Sequence, residues 1–330
     1  KMSLSNFGRR STDGPPSQRD GRITTGLRSI GLLGVPFDRA ASIRGASLGP
    51  AALRIAGLAD TLRGLGHMVT DFGDVTVASA LAPDLVSGRP FSMADMSAWS
   101  TAIHDRVVDT LRQNYVPVTM GGDHSIAMGS VAAAQRYCLE MGKELAVLWL
   151  DAHADFNTPE TSPTGNMHGM PVAFLSGEQS LQPLLATRGF HPLLPSRITL
   201  FGLRSIDREE RRALKARGIT SIDMRLIDEF GVSALLRDCL RKLDSEKTHL
   251  HVSFDLDLLD PAIAPGVGTP VLGGTSYREA HLIMELLFDS GMVGSVDVVE
   301  LNPFVDTRGA TAHIAIEMIA SLFGRTILEA

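Results

Sequence analysis

The chain has 330 residues, 44% of them hydrophobic and 21% charged, with a formal net charge of -6. That composition is globular, and the length suits one large α/β domain or two small ones. Acidic and basic residues are interspersed, leaving no broad basic surface for nucleic acid or an anionic membrane, and no run of about 18 apolar residues offers a membrane-spanning helix.

The first 26 residues are polar and rich in Ser, Gly and Arg. They lack the apolar stretch of a secretory signal and read as a mobile tail. From Leu27 onward, strand-like runs alternate with helical patterns. SIGLLGV reads as a strand, and GPAALRIAGLADTLRGLG as a helix with Pro50 near its start. MADMSAWSTAIHDRVVDTLRQN (helix) precedes VPVTM (strand), and SIAMGSVAAAQRYCLEMG (helix) precedes LAVLWL (strand). RITLFGL is a strand, DREERRALKARG a helix, SALLRDCLRKL a helix and HLHVSFDLD a strand. YREAHLIMELLFDSG (helix) and VGSVDVVELN (strand) lead to a last helix, ATAHIAIEMIASLFG. No linker-like stretch divides this run, so residues 27–330 read as one domain. The alternation implies an α/β fold with a mainly parallel central sheet and helices on both faces. Cys138 and Cys239 form neither a CxxC motif nor a disulfide framework. They read as buried free thiols, and a reducing cytoplasm is the expected compartment.

In open parallel sheets, sites form at the carboxyl ends of strands. Three such ends are rich in acidic and imidazole groups. VTMGGDHS supplies Asp123 and His124. LWLDAHAD supplies Asp151, His153 and Asp155. VSFDLDLLDP supplies Asp255, Asp257 and Asp260. Residues two apart on a strand point to one face, so Asp151 with His153, and Asp255 with Asp257, are expected to project together. Gathering these carboxylates without a counter-charge is costly. Divalent cations supply that charge, and oxygen ligands with two imidazoles suit Mn²⁺, Mg²⁺ or Fe²⁺. Six side chains exceed the needs of one ion and suit a pair about 3.5–4 Å apart, which generates hydroxide near neutral pH. No GxxxxGK[ST] phosphate loop and no GxSxG elbow occurs, so hydrolysis of a C–N bond is the favoured reaction, with its substrate left open by these motifs. Trp149, just before Asp151, is expected to pack beneath the site. His251 reads as a packed core histidine, and Arg44 as a turn-shaping residue.

GGDHS, DAHADFN, SFDLDLLDP and VVELNP, in this order over about residues 30 to 325, resemble the ureohydrolase family, which includes arginases and agmatinases. The loop NTPETSPTGNMHGMP resembles the arginases in particular, although Ser205 stands where arginases commonly carry an acidic residue. The resemblance implies an arginase-like three-layer fold and two Mn²⁺ ions per chain. His124, Asp151, Asp155 and Asp255 would hold one ion, and Asp151, His153, Asp255 and Asp257 the other. It further implies that Glu300 grips the substrate guanidinium and that His168 shuttles protons. Asp155 would relay a proton to the departing amine. Asn157, Thr164 and Asn166 would contact an α-carboxylate, Asp207 would approach the α-amino group, and Thr269 would lie beside the guanidinium. The implied reaction converts L-arginine to L-ornithine and urea, with agmatine or guanidinobutyrate as alternative substrates. Assembly as a homo-oligomer, trimer or hexamer, is implied as well.

Overall fold

The computed structural model describes residues 26–77 and 92–326. All but the last residue of the expected N-terminal tail lies outside them. Eight strands form one sheet: β1 (Ser29–Gly34), β2 (Met68–Asp74), β3 (Val116–Met120), β4 (Glu144–Leu150), β5 (Ile198–Leu203), β6 (Thr220–Asp223), β7 (Thr248–Asp255) and β8 (Val293–Val299). Their order is β2-β1-β3-β8-β7-β4-β5-β6, and every paired neighbour runs parallel.

The period-two alternation of strands divides the buried side chains between two apolar layers. Leu148 and Leu150 of β4, with Val252 and Phe254 of β7, meet Leu53, Leu236, Ile283, Leu287, Ile316 and Ile319 on one side. Val147 and Trp149 of β4, with Leu200 of β5, meet Ile103, Val107, Val131 and Leu214 on the other. The sheet is therefore sandwiched between two helical layers, as the alternating pattern requires. Both faces of the central strands are covered, which is why β7 is buried at all eight positions. Each fully buried Leu, Ile or Phe contributes about 1.5–3 kcal/mol relative to exposure. No helix among the described residues is long and apolar enough to cross a membrane.

Three local features differ from the sequence reading. The first helical pattern breaks in two, Gly49–Ile55 and Leu58–Gly64, at Gly57 with φ 92°. Glycine accepts that left-handed conformation without steric cost. The strands β2 and β6 carried no clear signal. They are the edges of the sheet, where polar and charged residues replace the apolar run. Only Val69 in β2 and Ile222 in β6 are buried.

Candidate metal centre and active site

The strand order places the motif-bearing ends side by side. β3, β8, β7, β4 and β5 are consecutive in the sheet. Their carboxyl ends deliver His124, Glu300, Asp255 with Asp257, Asp151 to Asp155, and Asp207 respectively. The two glycines before Asp123 make room for this convergence. A Cβ on Gly122 would lie 1.5 Å from the Phe37 carbonyl oxygen, and one on Gly121 would lie 2.7 Å from the Val299 side chain.

Strand alternation is not what aligns the acidic residues. β4 ends at Leu150 and β7 at Asp255, so the DAHAD run and Asp257 lie beyond regular strand. Each leading carboxylate instead caps its own turn. Asp151 Oδ1 accepts the His153 N–H at 2.6 Å, and Asp255 Oδ1 accepts the Asp257 N–H at 2.8 Å. Asp155 and Glu300 both adopt positive φ, 48° and 66°. Non-glycine residues hold such angles only where the surroundings enforce them, often at functional sites.

Around His124 the geometry is that of a ligand cage. Its Nδ1 lies 3.1 Å from Asp151 Oδ2, 3.2 Å from Asp155 Oδ2 and 3.0 Å from Asp255 Oδ2. None of these contacts has hydrogen-bond geometry, so a fully buried ring nitrogen has no hydrogen-bond partner. His153 Nδ1 lies 2.9 Å from Asp257 Oδ2 and 3.5 Å from Asp151 Oδ1. The possible ligand atoms fall into two groups that share Asp151: His124, Asp151 and Asp155, and Asp151, His153 and Asp257. Burial and the neighbouring Asp151 push the Asp155 carboxyl up to about 7. Burial, with Asp257 and Asp151 nearby, raises Asp255 well above the usual carboxylate range. The protein supplies too little positive charge here, and the donor set of carboxylates and imidazoles fits divalent cations that would supply it.

Two aromatic and hydroxyl contacts orient the cage from behind. Trp149 stacks on His124 with ring centroids 3.9 Å apart and donates its indole N–H to Asp151 Oδ2 at 2.9 Å. This is the place beneath the site that the sequence suggested. Ser253 Oγ lies 2.8 Å from His124 Nε2. A serine in an apolar strand gave no signal of that role.

Above the cage lies a cavity of about 200 Å³ whose lining includes His153, Asp155, Asn157, Thr164, Asn166, His168, Ser205, Asp207, Glu210, Asp255 and Thr269. Five of the six residues expected to touch substrate (Asn157, Thr164, Asn166, Asp207, Thr269) are thus brought to one hollow, and Glu300 is not part of its lining. Asn157 donates through Nδ2 to Asp207 Oδ2 at 3.0 Å. The Asn166 side chain hydrogen-bonds with Ser42, and the Thr164 hydroxyl accepts the Asn166 N–H. Thr269 donates to Asp257 Oδ2 at 3.2 Å. Glu300 sits below the cavity lining, 2% exposed. Its Oε1 accepts the His124 N–H at 2.9 Å and lies 3.0 Å from His168 Nδ1. Burial lowers the His168 pKa, but the hydrogen bond and charge of Glu300 outweigh it and hold the imidazole at about 9.

Glu210 was missed in the sequence, where it is one acid in a charged helix. It is buried, and it accepts the N–H groups of Phe156 and Asp207 at 2.8 and 2.9 Å. It thereby ties the Asp155–Asn157 loop to the helix start that carries Asp207. Two acids lie outside the cage. Asp260 accepts the N–H groups of Ala262, Gly273 and Gly274 and shapes an outer loop. Asp123 accepts the Ala40 and Ser125 N–H groups. Both are turn holders: each carboxylate is taken up by backbone donors. Arg44 pairs with Asp38, and its carbonyl accepts from Asn302, in keeping with a turn role.

Carboxylates and imidazoles gathered at the carboxyl edge of a parallel sheet, under a polar cavity, form a cluster that could hold metal ions, an arrangement suited to a hydrolase that activates water. The chain belongs to the arginase family, whose model matches residues 28–324. An arginase from Brucella melitensis is 44% identical over 301 residues, covering 90% of this chain and 97% of its own length. The crystal structure of the arginase from Bacillus caldovelox superposes with a TM-score of 0.82 at 36% identity, covering 92% of this chain and all of that one. A structure described as a hypothetical agmatinase from Burkholderia thailandensis is more distant, with a TM-score of 0.66 and 25% identity over 90% of this chain and 85% of its own.

Proposed function

We propose that this ureohydrolase cleaves the guanidinium C–N bond of L-arginine to give L-ornithine and urea, using two Mn²⁺ ions per chain. The observation that carries this reading is His124 Nδ1, buried without a hydrogen-bond partner and faced by three carboxylate oxygens at 3.0–3.2 Å. His124, Asp151, Asp155 and Asp255 would hold one ion, and Asp151, His153, Asp255 and Asp257 the other. When bound, such ions lower the pKa of water so that it becomes a nucleophile near neutral pH.

The chain's own groups bind the substrate and handle its protons. The Glu300 carboxylate binds the guanidinium through charge-assisted hydrogen bonds. Asn157, Thr164 and Asn166 read the α-carboxylate, Asp207 holds the α-amino group, and Thr269 lines the guanidinium end. Asp155 passes a proton to the departing amine, and His168 exchanges protons between that amine and solvent. His168 suits this task because it is partly exposed at the cavity wall while Nδ1 is fixed on Glu300. The polar loop between Asn157 and Asn166 favours L-arginine over agmatine, since only the former has a carboxylate for it to bind. The reading includes homo-oligomeric assembly, as a trimer or hexamer, and a cytoplasmic location. Urea release from L-arginine by Mn²⁺-loaded protein, against metal-free protein, tests it; no urea from protein carrying two ions would overturn it.

A further inference from the structure

A second polar cluster lies inside the sheet, one layer behind the cage. Asp297 of β8 is fully buried, and its Oδ2 lies 2.5 Å from Ser130 Oγ and 3.0 Å from His251 Nε2. Ser295 Oγ lies 2.8 Å from both His251 Nδ1 and His249 Nε2. The proton positions in this chain follow from donor counting. A carboxylate only accepts, so the His251 Nε2 hydrogen is donated to Asp297 Oδ2, and Nδ1, where it bears no hydrogen, accepts from the Ser295 hydroxyl. Ser295 then has its oxygen free to accept the His249 Nε2–H. Burial pushes His249 down to about 3, which keeps that ring neutral and the direction of donation consistent.

One atom is left over. Asp297 Oδ1 is buried and has no hydrogen-bond partner among the described residues. Buried carboxylate oxygens in native proteins nearly always have one. Its neighbour in the β7–β8 register is Ser253, also fully buried. Register partners on parallel strands project from the same face. Ser253 has a matching surplus. If His124 Nδ1 turns its lone pair to a metal, the ring hydrogen sits on Nε2 and is donated to Ser253 Oγ, 2.8 Å away. The Ser253 hydroxyl proton then needs an acceptor.

We propose that Asp297 is a positioning residue for the metal centre: its Oδ1 accepts, through one buried water, the proton donated by the Ser253 hydroxyl, and so locks His124 with Nδ1 toward the carboxylate cage. The inference rests on the metal reading above. It makes His251 and Ser130 anchors that hold the Asp297 carboxylate in place for Ser253. Groups that orient a ligand in this way typically account for 10- to 100-fold in metal affinity.

Titration of Mn²⁺ into metal-free wild-type protein, Asp297→Asn, Ser253→Ala and the double variant tests it without recourse to activity. Each single variant is expected to weaken one of the two Mn²⁺ sites by about 10- to 100-fold and the other far less. The double variant is expected to bind no more weakly than the worse single variant, because both substitutions cut the same chain. Additive losses, or Asp297→Asn binding like wild type, would overturn the proposal. Absence of Mn²⁺ binding by wild-type protein would instead overturn the metal reading. If Asp297→Asn does not fold, a high-resolution crystal structure of the Mn²⁺-loaded wild type decides. A single water joining Ser253 Oγ to Asp297 Oδ1 supports the assignment; a Ser253 hydroxyl directed elsewhere refutes it.

Discussion

Asn157→Ala separates the reading of the substrate's carboxylate from the metal chemistry. Asn157 follows Asp155 by two residues and is buried, 7% exposed. Oδ1 accepts the Thr161 hydroxyl at 3.0 Å, and one Nδ2 hydrogen is donated to Asp207 at 3.0 Å. An amide carries two such hydrogens, so one remains for the cavity. A hydrogen bond to a charged group is worth about 1.5–3 kcal/mol. At about 1.36 kcal/mol per tenfold, its loss reduces kcat/KM for L-arginine by about 10- to 150-fold. Truncation also strips Asp207 of a partner, which acts on the same end of the substrate. Agmatine has no carboxylate at that end, so its weak turnover is expected to change by less than about threefold. The assay is steady-state urea release from both substrates, with bound Mn²⁺ measured on the same samples. Equal falls for the two substrates, or loss of metal, would refute the assignment.

Asp257→Ala is expected to empty one Mn²⁺ site and spare the other, whereas Asp151→Ala, which removes the carboxylate common to both ligand groups, weakens both; equal small losses by metal titration would show the sharing to be wrong. In metal-free protein the His168–Glu300 pair titrates in a defined window. The His168 pKa is held at about 9 in the fold, against about 6.5 in an unfolded chain. A raised folded pKa gives stability that is complete below about pH 6.5 and is lost as pH rises through about 9. The melting-temperature gap between wild type and His168→Gln should therefore shrink from pH 6.5 to pH 10, and a gap that widened would contradict the pairing. Asp260→Ala should lower the melting temperature by a few degrees while leaving Mn²⁺ stoichiometry at two, because Asp260 holds backbone N–H groups of an outer loop; loss of an ion would show it to be a ligand.

The central strands and most helices were legible because their apolar runs are long and uninterrupted, as in ELAVLWL. Edge strands were not, since solvent on one side removes the pattern. The cage residues were legible as types, because Asp and His at strand ends have few structural reasons to cluster. Their alignment came from elsewhere than expected: carboxylate-capped turns at Asp151 and Asp255 do what strand alternation was supposed to do. Asp260 continues the acidic run in the sequence, yet its carboxylate is taken up by the backbone N–H groups of an outer loop. Ser253 and Glu210 were invisible for the opposite reason. A serine in a strand and a glutamate in a charged helix are ordinary in sequence, and only the β3–β8–β7 order and the fold of the Asp155 loop bring them to the site.

The central claim is that a two-ion site serves a substrate with an α-carboxylate. The most direct measurement is the ratio of kcat/KM for urea release from L-arginine and from agmatine, on protein shown to carry two Mn²⁺ ions. The account expects L-arginine to be preferred by at least about tenfold, the smallest loss assigned to one charged hydrogen bond. Equal turnover, or preference for agmatine, would contradict it.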